Sequence, residues 1–250
     1  MPLPQALADH PRLDQWVRFP APGRVWVATG KVEIGQGVLT AMRQIAAEEL
    51  DVAPDRIDLY SGDTALTPNE GYTAGSQSIQ FGGVALQLAC AEVRARFIDR
   101  AAEILGHAAA DLRVEDGAIL HRGAATGEDY WSLAAGVDLA RPATGAAPIK
   151  PPARRRLVGR NLPRTDLAAK LFGEPVFAHD MTLPGMVHAR VVRPPSYGAT
   201  LVSVDTSEIE KMPGVVKVVI RLQGNWTSAG DWLQKTAVCN SSKVTRPVVP

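Results

Sequence analysis

Residues 24–50 read RVWVATGKVEIGQGVLTAMRQIAAEEL, and two hydrophobic periods within them decide the fold class. Val25 and Val27 alternate with Trp26 and Ala28, and Val32 and Ile34 alternate with Lys31 and Glu33. That period of two predicts strands on either side of Gly30. From Gly37 the period changes: Leu39, Met42, Ile45, Ala46 and Leu50 fall three or four apart, the apolar stripe of a helix that Pro54 stops. The segment is strand, glycine turn, helix. Beyond it, Ile57 and Leu59 predict a further strand, and the turn-rich stretch from Gly62 to Gly75, with Pro68, Asn69 and Gly71, predicts a loop facing solvent or ligand.

Further along, Val84, Leu88, Val93, Phe97, Ala101 and Ile104 predict one long helix from about Gln77 to Leu105, with Gly106 as its C-terminal cap. Gly82 and Gly83 weaken its first turns, which predicts close approach of another backbone there. Leu112–Glu115 and Ala118–His121 flank Asp116-Gly117, a dipeptide suited to a tight hairpin because both positions tolerate positive φ. Four prolines and Arg154-Arg155-Arg156 mark residues 141–156 as a linker between packed units, its basic run solvated. Strands are predicted at Met186–Val192, Leu201–Val204 and Val215–Ile220. Between the last two, a short helix starts at Asp205 with Glu208 and ends at Met212-Pro213-Gly214. The class is α+β.

Composition narrows the function. Hydrophobic residues at 46% and charged residues at 21% match globular chains, and a formal net charge of +1 gives no field to draw in nucleic acid. The N-terminus lacks the apolar core of a secretory signal, and no run reaches the ~18 apolar residues needed to span a bilayer, so a cytoplasmic product is expected. Cys90 and Cys239 cannot supply a four-cysteine iron–sulfur cluster, and the five histidines show no metal-ligand spacing. Cys90, on an apolar helix, reads as a buried inert thiol.

Two candidate ligand loops remain. Gly35-Gln36-Gly37 opens a helix, where free N–H groups and the positive end of the dipole favour an anion. Its spacing is neither the dinucleotide fingerprint nor a P-loop, and a plain glycine turn explains the same residues. Thr73-Ala74-Gly75-Ser76-Gln77-Ser78 opens the long helix, and helix capping accounts for one of its serines but not for both. One helix terminus cannot hold a large organic anion tightly, since a charged hydrogen bond contributes roughly 1.5 to 3 kcal/mol; two converging loops can.

With both loops in view, Gly30-Lys31-Val32-Glu33-Ile34-Gly35-Gln36-Gly37 and the helix ending Ala47-Glu48-Glu49-Leu50 resemble the cofactor loop of molybdenum hydroxylase large subunits. These are the molybdopterin-binding subunits of the xanthine dehydrogenase and aldehyde oxidase type. Ser61-Gly62-Asp63-Thr64 and Thr73–Ser78 resemble the second cofactor loop, in the arrangement of isoquinoline oxidoreductase and nicotinate dehydrogenase large subunits. Val158-Gly159-Arg160, Phe172-Gly173, Leu183-Pro184-Gly185-Met186, Arg193-Pro194-Pro195 and Met212–Val216 resemble the a/b hammerhead domain that follows. The resemblance implies a partial molybdopterin cofactor-binding domain at 1–140, the linker at 141–156, a hammerhead-like domain at 157–220 and an atypical tail at 221–250. It assigns Gly35, Gln36 and Gly37 to one wall of the cofactor site and Gly75, Ser76, Gln77 and Ser78 to the other. The cofactor implied is a molybdopterin dinucleotide with molybdenum, in the cytosine form, the metal held by the pterin's dithiolene.

By the same resemblance the reaction places a water-derived oxygen on a carbon of an N-heterocycle or an aldehyde. Electrons leave through an iron–sulfur small subunit toward a cytochrome or other acceptor. The glutamate that serves the family as general base belongs to a later part, and Glu174 in Gly173-Glu174-Pro175 reads as a turn residue instead. Catalytic residues are therefore expected outside this chain, which alone would be inactive and would expose apolar surface. The loss of apolar periodicity after Ile220 leads to the expectation of a shifted reading frame near Arg221. The alternative is a non-catalytic cofactor-binding or assembly module.

Overall fold

The structure, a computed structural model, describes residues 2–192, 202–222 and 233–239. It divides into two compact units between Glu174 and Pro175. The first unit runs through α1 (Gln5–Asp9), β1 (Val17–Ala21), β2 (Arg24–Thr29), α2 (Val38–Leu50) and β3 (Ile57–Ser61). It continues with α3 (Val84–Leu105), β4 (Leu112–Glu115), β5 (Ala118–His121), β6 (Ala124–Asp129), α4 (Tyr130–Leu133) and α5 (Leu167–Leu171).

In the first sheet β2 is central, antiparallel to β1 and parallel to β3. Parallel neighbours need a crossover, and α2 is that crossover, so the Gly30–Gly37 turn lies where β2 hands the chain to the helix. Val25 and Val27 enter the core with Val38, Met42, Ala46 and Leu50 of α2 and Leu86, Ala89, Val93 and Phe97 of α3. Burying each large member contributes roughly 2 kcal/mol. The other side of β2 is covered by stacking: Trp26 packs on Tyr60, ring centroids 5.4 Å apart, with the Arg18 guanidinium 4.2 Å from the Trp26 ring. Phe19, Phe97 and Tyr130 form an edge-to-face cluster with centroids 4.7–5.2 Å apart, and the Tyr130 hydroxyl donates to the Leu50 carbonyl, which closes the end of α2.

Several expectations meet the structure directly. The hairpin forms with Asp116 at φ +49° and Gly117 at φ +83°, and Gly106 ends α3 at φ +67°. Burial pushes the Cys90 thiol up, as an inert core group. Glu174 falls in the turn that closes α5, its N–H donating to the Ala169 carbonyl. Others are corrected. Val32–Ile34 is loop, because β2 ends at Thr29 where Gly30 and Lys31 turn inward to bond the 68–73 segment. The long helix starts with π-helical turns at Ser78–Gly83. The sequence reading omitted β6, which adds a third antiparallel strand to the β4–β5 hairpin.

The stretch 141–156 is a docked strap, not a free linker, and the first unit continues past it to Glu174. Three carboxylates from α2 and α3 fill its backbone. Glu92 accepts from the Thr144 and Gly145 N–H groups at 2.7 and 3.1 Å, Glu49 from Lys150 N–H at 3.2 Å, and Glu48 from the N–H groups of Arg156, Leu157 and Val158 at 2.9, 2.6 and 2.9 Å. Proline-rich chain cannot pair in a ladder, so its N–H groups are satisfied by side chains instead.

The second unit contains β7 (His188–Val192), α6 (Ser207–Glu210), β8 (Val215–Leu222) and β9 (Leu233–Cys239), with sheet order β7-β9-β8, all antiparallel. The expected strand at Leu201–Val204 is not formed by Val202–Val204, and Leu201 lies outside the described residues. Leu233–Cys239, in the tail where periodicity is lost, pairs its backbone with both neighbours. Arg193-Pro194-Pro195 lies outside the described residues. Among the described residues no helix is long and apolar enough to cross a membrane.

Candidate cofactor-binding site

The two candidate loops, about forty residues apart in sequence, are laced together at the end of β2. Lys31 is buried, and its Nζ donates to the carbonyls of Glu70 and Tyr72 at 2.6 and 2.9 Å. Glu70 returns the contact: its Oε2 accepts from Thr29 Oγ1 at 2.5 Å and Gly30 N–H at 2.6 Å. Val32 N–H donates to Thr73 Oγ1 at 2.9 Å. The lacing ends three residues before Gly35 and two before Gly75, so it fixes where both glycine turns begin. Replacing Lys31 by Met should leave two carbonyls without their donor and cost about 2 kcal/mol, with faster amide exchange across residues 70–75 as the readout.

The crossing points leave little room for a side chain. A Cβ on Gly82 would lie 2.4 Å from Glu70 Oε1 and 3.3 Å from Lys31 Cγ, and one on Gly83 would lie 3.1 Å from Ile45 Cδ1. The close approach expected at this pair is thus to the side chains of Glu70, Lys31 and, on α2, Ile45, not to a backbone. Glu70 Oε1 is buried and has no hydrogen-bond partner among the described residues.

At the start of α2 the structure corrects the sequence reading. Part of the N–H set expected to be free is filled from within: Glu33 Oε1 accepts from Gly35 and Gly37 at 2.8 Å each, and Oε2 from Leu39 at 3.4 Å. The Glu33 side chain is only 7% exposed, so this is a built-in cap. The Gln36 amide folds back, accepting from Ile34 N–H at 2.7 Å and donating to the Val32 carbonyl at 3.1 Å. Gly35 and Gly37 adopt φ of +106° and +81°, and nothing lies within 4 Å of where a Gly35 side chain would stand.

Over this turn lies Arg164, from beyond the strap. Its Nη1 donates to the Gly35 carbonyl at 2.9 Å, while Nε and Nη2 bond both oxygens of Asp166 at 3.0 and 2.7 Å. Arg164 and then Lys170, hydrogen-bonded to Asp166, hold its carboxyl far below the usual carboxylate range.

The second turn is differently disposed. Gly75 and Ser76 are consecutive left-handed residues, φ +61° and +58°, and Ser76 is one of few non-glycine residues so placed. The π-helical start at Ser78–Gly83 has no side-chain cap, and an i→i+5 pattern leaves more N–H groups unpaired than an α-helical start. Gly75, Ser76 and Gln77 are exposed, and Ser78 is half-buried. Beside the turns stand apolar side chains open to solvent: Ile34 is 71% exposed, Tyr72 90% and Phe81 51%. Thr73 belongs to the second loop proposed from sequence, whereas Lys31, Glu33, Glu70 and Arg164 were not assigned a role there. Only Glu33, an acid two residues before a glycine at a helix start, carried a local signal.

A sheet-to-helix crossover and a second helix start are thus tied into one glycine-lined edge. Residues 5–155 match the molybdopterin cofactor-binding domain family. The chain belongs to that family, and the resemblance to molybdopterin-binding subunits of the xanthine dehydrogenase type holds. It is 38% identical over 206 residues to a nicotinate dehydrogenase subunit from Pseudomonas putida, covering 79% of this chain and 17% of that one. It is 28% identical over 243 residues to the isoquinoline 1-oxidoreductase beta subunit from Brevundimonas diminuta, covering 82% of this chain and 31% of that one. Among solved structures, CO dehydrogenase from Oligotropha carboxidovorans aligns with 47% of this chain and 15% of its own at 28% identity and a TM-score of 0.42. The chain therefore spans a third or less of the length of these relatives.

Proposed function

We propose that the two laced turns hold a molybdopterin dinucleotide, and that the chain is the cofactor-binding portion of a molybdenum hydroxylase large subunit. The observation that carries this reading is the pair of left-handed glycine turns at helix starts, joined by Lys31 and Glu70. The residues fit such a group: open space at Gly35, a helix start at Ser78 without a side-chain cap, and a buried acceptor at Glu70 Oε1 that suits an N–H donor. Gly35, Gln36 and Gly37 supply one wall by shape. With Glu33 already filling the start of α2, Gly75, Ser76, Gln77 and Ser78 supply the donors for a phosphate.

When bound, the cofactor supplies the redox chemistry that hydroxylates an N-heterocycle or an aldehyde carbon with oxygen from water. This chain's residues bind and orient. Glu33, Glu48, Glu49 and Glu92 each accept from backbone N–H groups, a structural use that supports, as second reading, a non-catalytic cofactor-binding or assembly module. The cytosine form, an iron–sulfur small subunit as electron partner with a cytochrome or other acceptor beyond it, a cytoplasmic setting and a hammerhead-like second unit belong to the same proposal. That both relatives are named as subunits of larger enzymes supports the existence of partners.

Ser76→Val tests it. A β-branched residue tolerates positive φ poorly, at roughly 1–2 kcal/mol, so the chain should fold while pterin recovered by denaturing the purified protein falls about tenfold. Pterin recovery equal to the parent would remove the second turn from the site.

A further inference from the structure

We propose that Arg164 is a positioning residue for the first glycine turn, so that the cofactor-binding unit extends beyond the family match at residue 155 to include residues 157–170. The consequence for cofactor rests on the function proposed above; the positioning role does not.

Contacts from Arg164, Asp166, Thr165 and Gln44 carry the inference. Arg164 Nη1 holds the Gly35 carbonyl at 2.9 Å, and its stem passes 3.9 Å from where a Gly37 side chain would start. The guanidinium cannot swing away, because Asp166 grips it through two parallel bonds and is itself held by Lys170. Thr165 N–H donates to Thr40 Oγ1 in the first turn of α2 at 3.1 Å. Gln44, one helical turn further on, donates to the Arg160 carbonyl at 3.0 Å and to the Leu157 carbonyl.

Beyond the bonds to Glu33 and Gln36, the turn has little to fix its carbonyl side. Two glycines with positive φ and open space at Gly35 leave the backbone free to choose among conformations. Glu33 orders the N–H side of the turn, and Arg164 orders the carbonyl side. Arg164 Nη2 lies 3.7 Å from Glu33 Oε1, so the same cation also holds the capping carboxylate in place. A lysine could supply the charge but not the fork that joins Gly35 and Asp166.

Amide exchange on the full cofactor-free chain tests the role, comparing the parent with Arg164→Met, Arg164→Lys and Asp166→Asn. The expected result is about tenfold faster exchange at Gly35 and Gly37 in all three variants, with α3 unchanged. Pterin retention should fall in step. Unchanged exchange at Gly35 and Gly37 overturns the proposal, and so does acceleration spread equally over α3, which marks general loosening. Because exchange is read without cofactor, failure of the functional reading shows separately, as a parent chain that takes up no pterin.

Discussion

Glu48→Ala should destabilise the chain by about 4 kcal/mol, because removing one partner of a buried charged cluster leaves the others unpaired. The Glu48 side chain is 2% exposed, and one of its oxygens accepts from three consecutive backbone N–H groups, Arg156, Leu157 and Val158. Lys150 Nζ lies 3.4 Å from the other oxygen. Without the carboxylate the three N–H groups lose their acceptor together, so the strap should detach before the core melts. The checks are a melting temperature lower by roughly 10 °C and faster trypsin cleavage at Arg154-Arg155-Arg156. Acid should mimic the mutation. Burial raises the Glu48 pKa, but the N–H groups of Val158, Leu157 and Arg156 and the Lys150 charge outweigh it, so the carboxyl sits below its ordinary value. A depressed carboxyl contributes stability that is present above its unfolded pKa, roughly 4.3, and is lost as pH falls through the lower folded value. The parent strap should therefore loosen as the pH falls below the unfolded value toward the lower folded one, and Glu48→Gln should weaken that dependence.

Gly30→Ala should be nearly as damaging, at about 3 kcal/mol, despite adding only one carbon. That carbon would lie 2.1 Å from the Pro68 carbonyl oxygen and 3.0 Å from Glu70 N, both backbone, so one loop must move off the other. The bonds from Gly30 N–H and Thr29 to Glu70, and from Lys31 to Glu70 and Tyr72, should lengthen together. Gly35→Ala is the contrasting case. Nothing lies within 4 Å of the new carbon, so only the positive φ opposes it, at about 1–2 kcal/mol. Urea unfolding should rank the two in that order, with both reducing pterin retention. Equal stability of Gly30→Ala and the parent would mean that the loops are not in contact.

The local elements were legible because their causes are local. The change of period at Gly37 marks α2, the positive-φ pair Asp116-Gly117 marks the β4–β5 hairpin, and the α3 stripe ends at a glycine that occurs in left-handed form. What escaped depends on pairs distant in the chain. Lys31 alternates like a strand residue facing solvent, and only Glu70 and Tyr72, some forty positions on, turn it into a buried strut. Glu48, Glu49 and Glu92 look like the wet faces of two helices, yet each plugs the backbone of a strap more than fifty residues away. The proline content of that strap correctly excluded regular structure, but irregular chain need not be loose. β6, Ala-Ala-Thr-Gly-Glu-Asp, carries one β-branched residue and a glycine, so no alternation announced it. Both glycine turns form at the positions read from sequence, while the Glu33 cap on the first was not foreseen, because a capping glutamate is indistinguishable in sequence from an exposed one.

The central claim is that both turns bind one cofactor. The direct measurement is an amide-exchange footprint of the folded chain with and without saturating molybdopterin cytosine dinucleotide. Simultaneous protection of residues 33–38 and 75–79 is the predicted result. Protection of neither segment, or of one alone, in a chain whose α3 remains protected would contradict it.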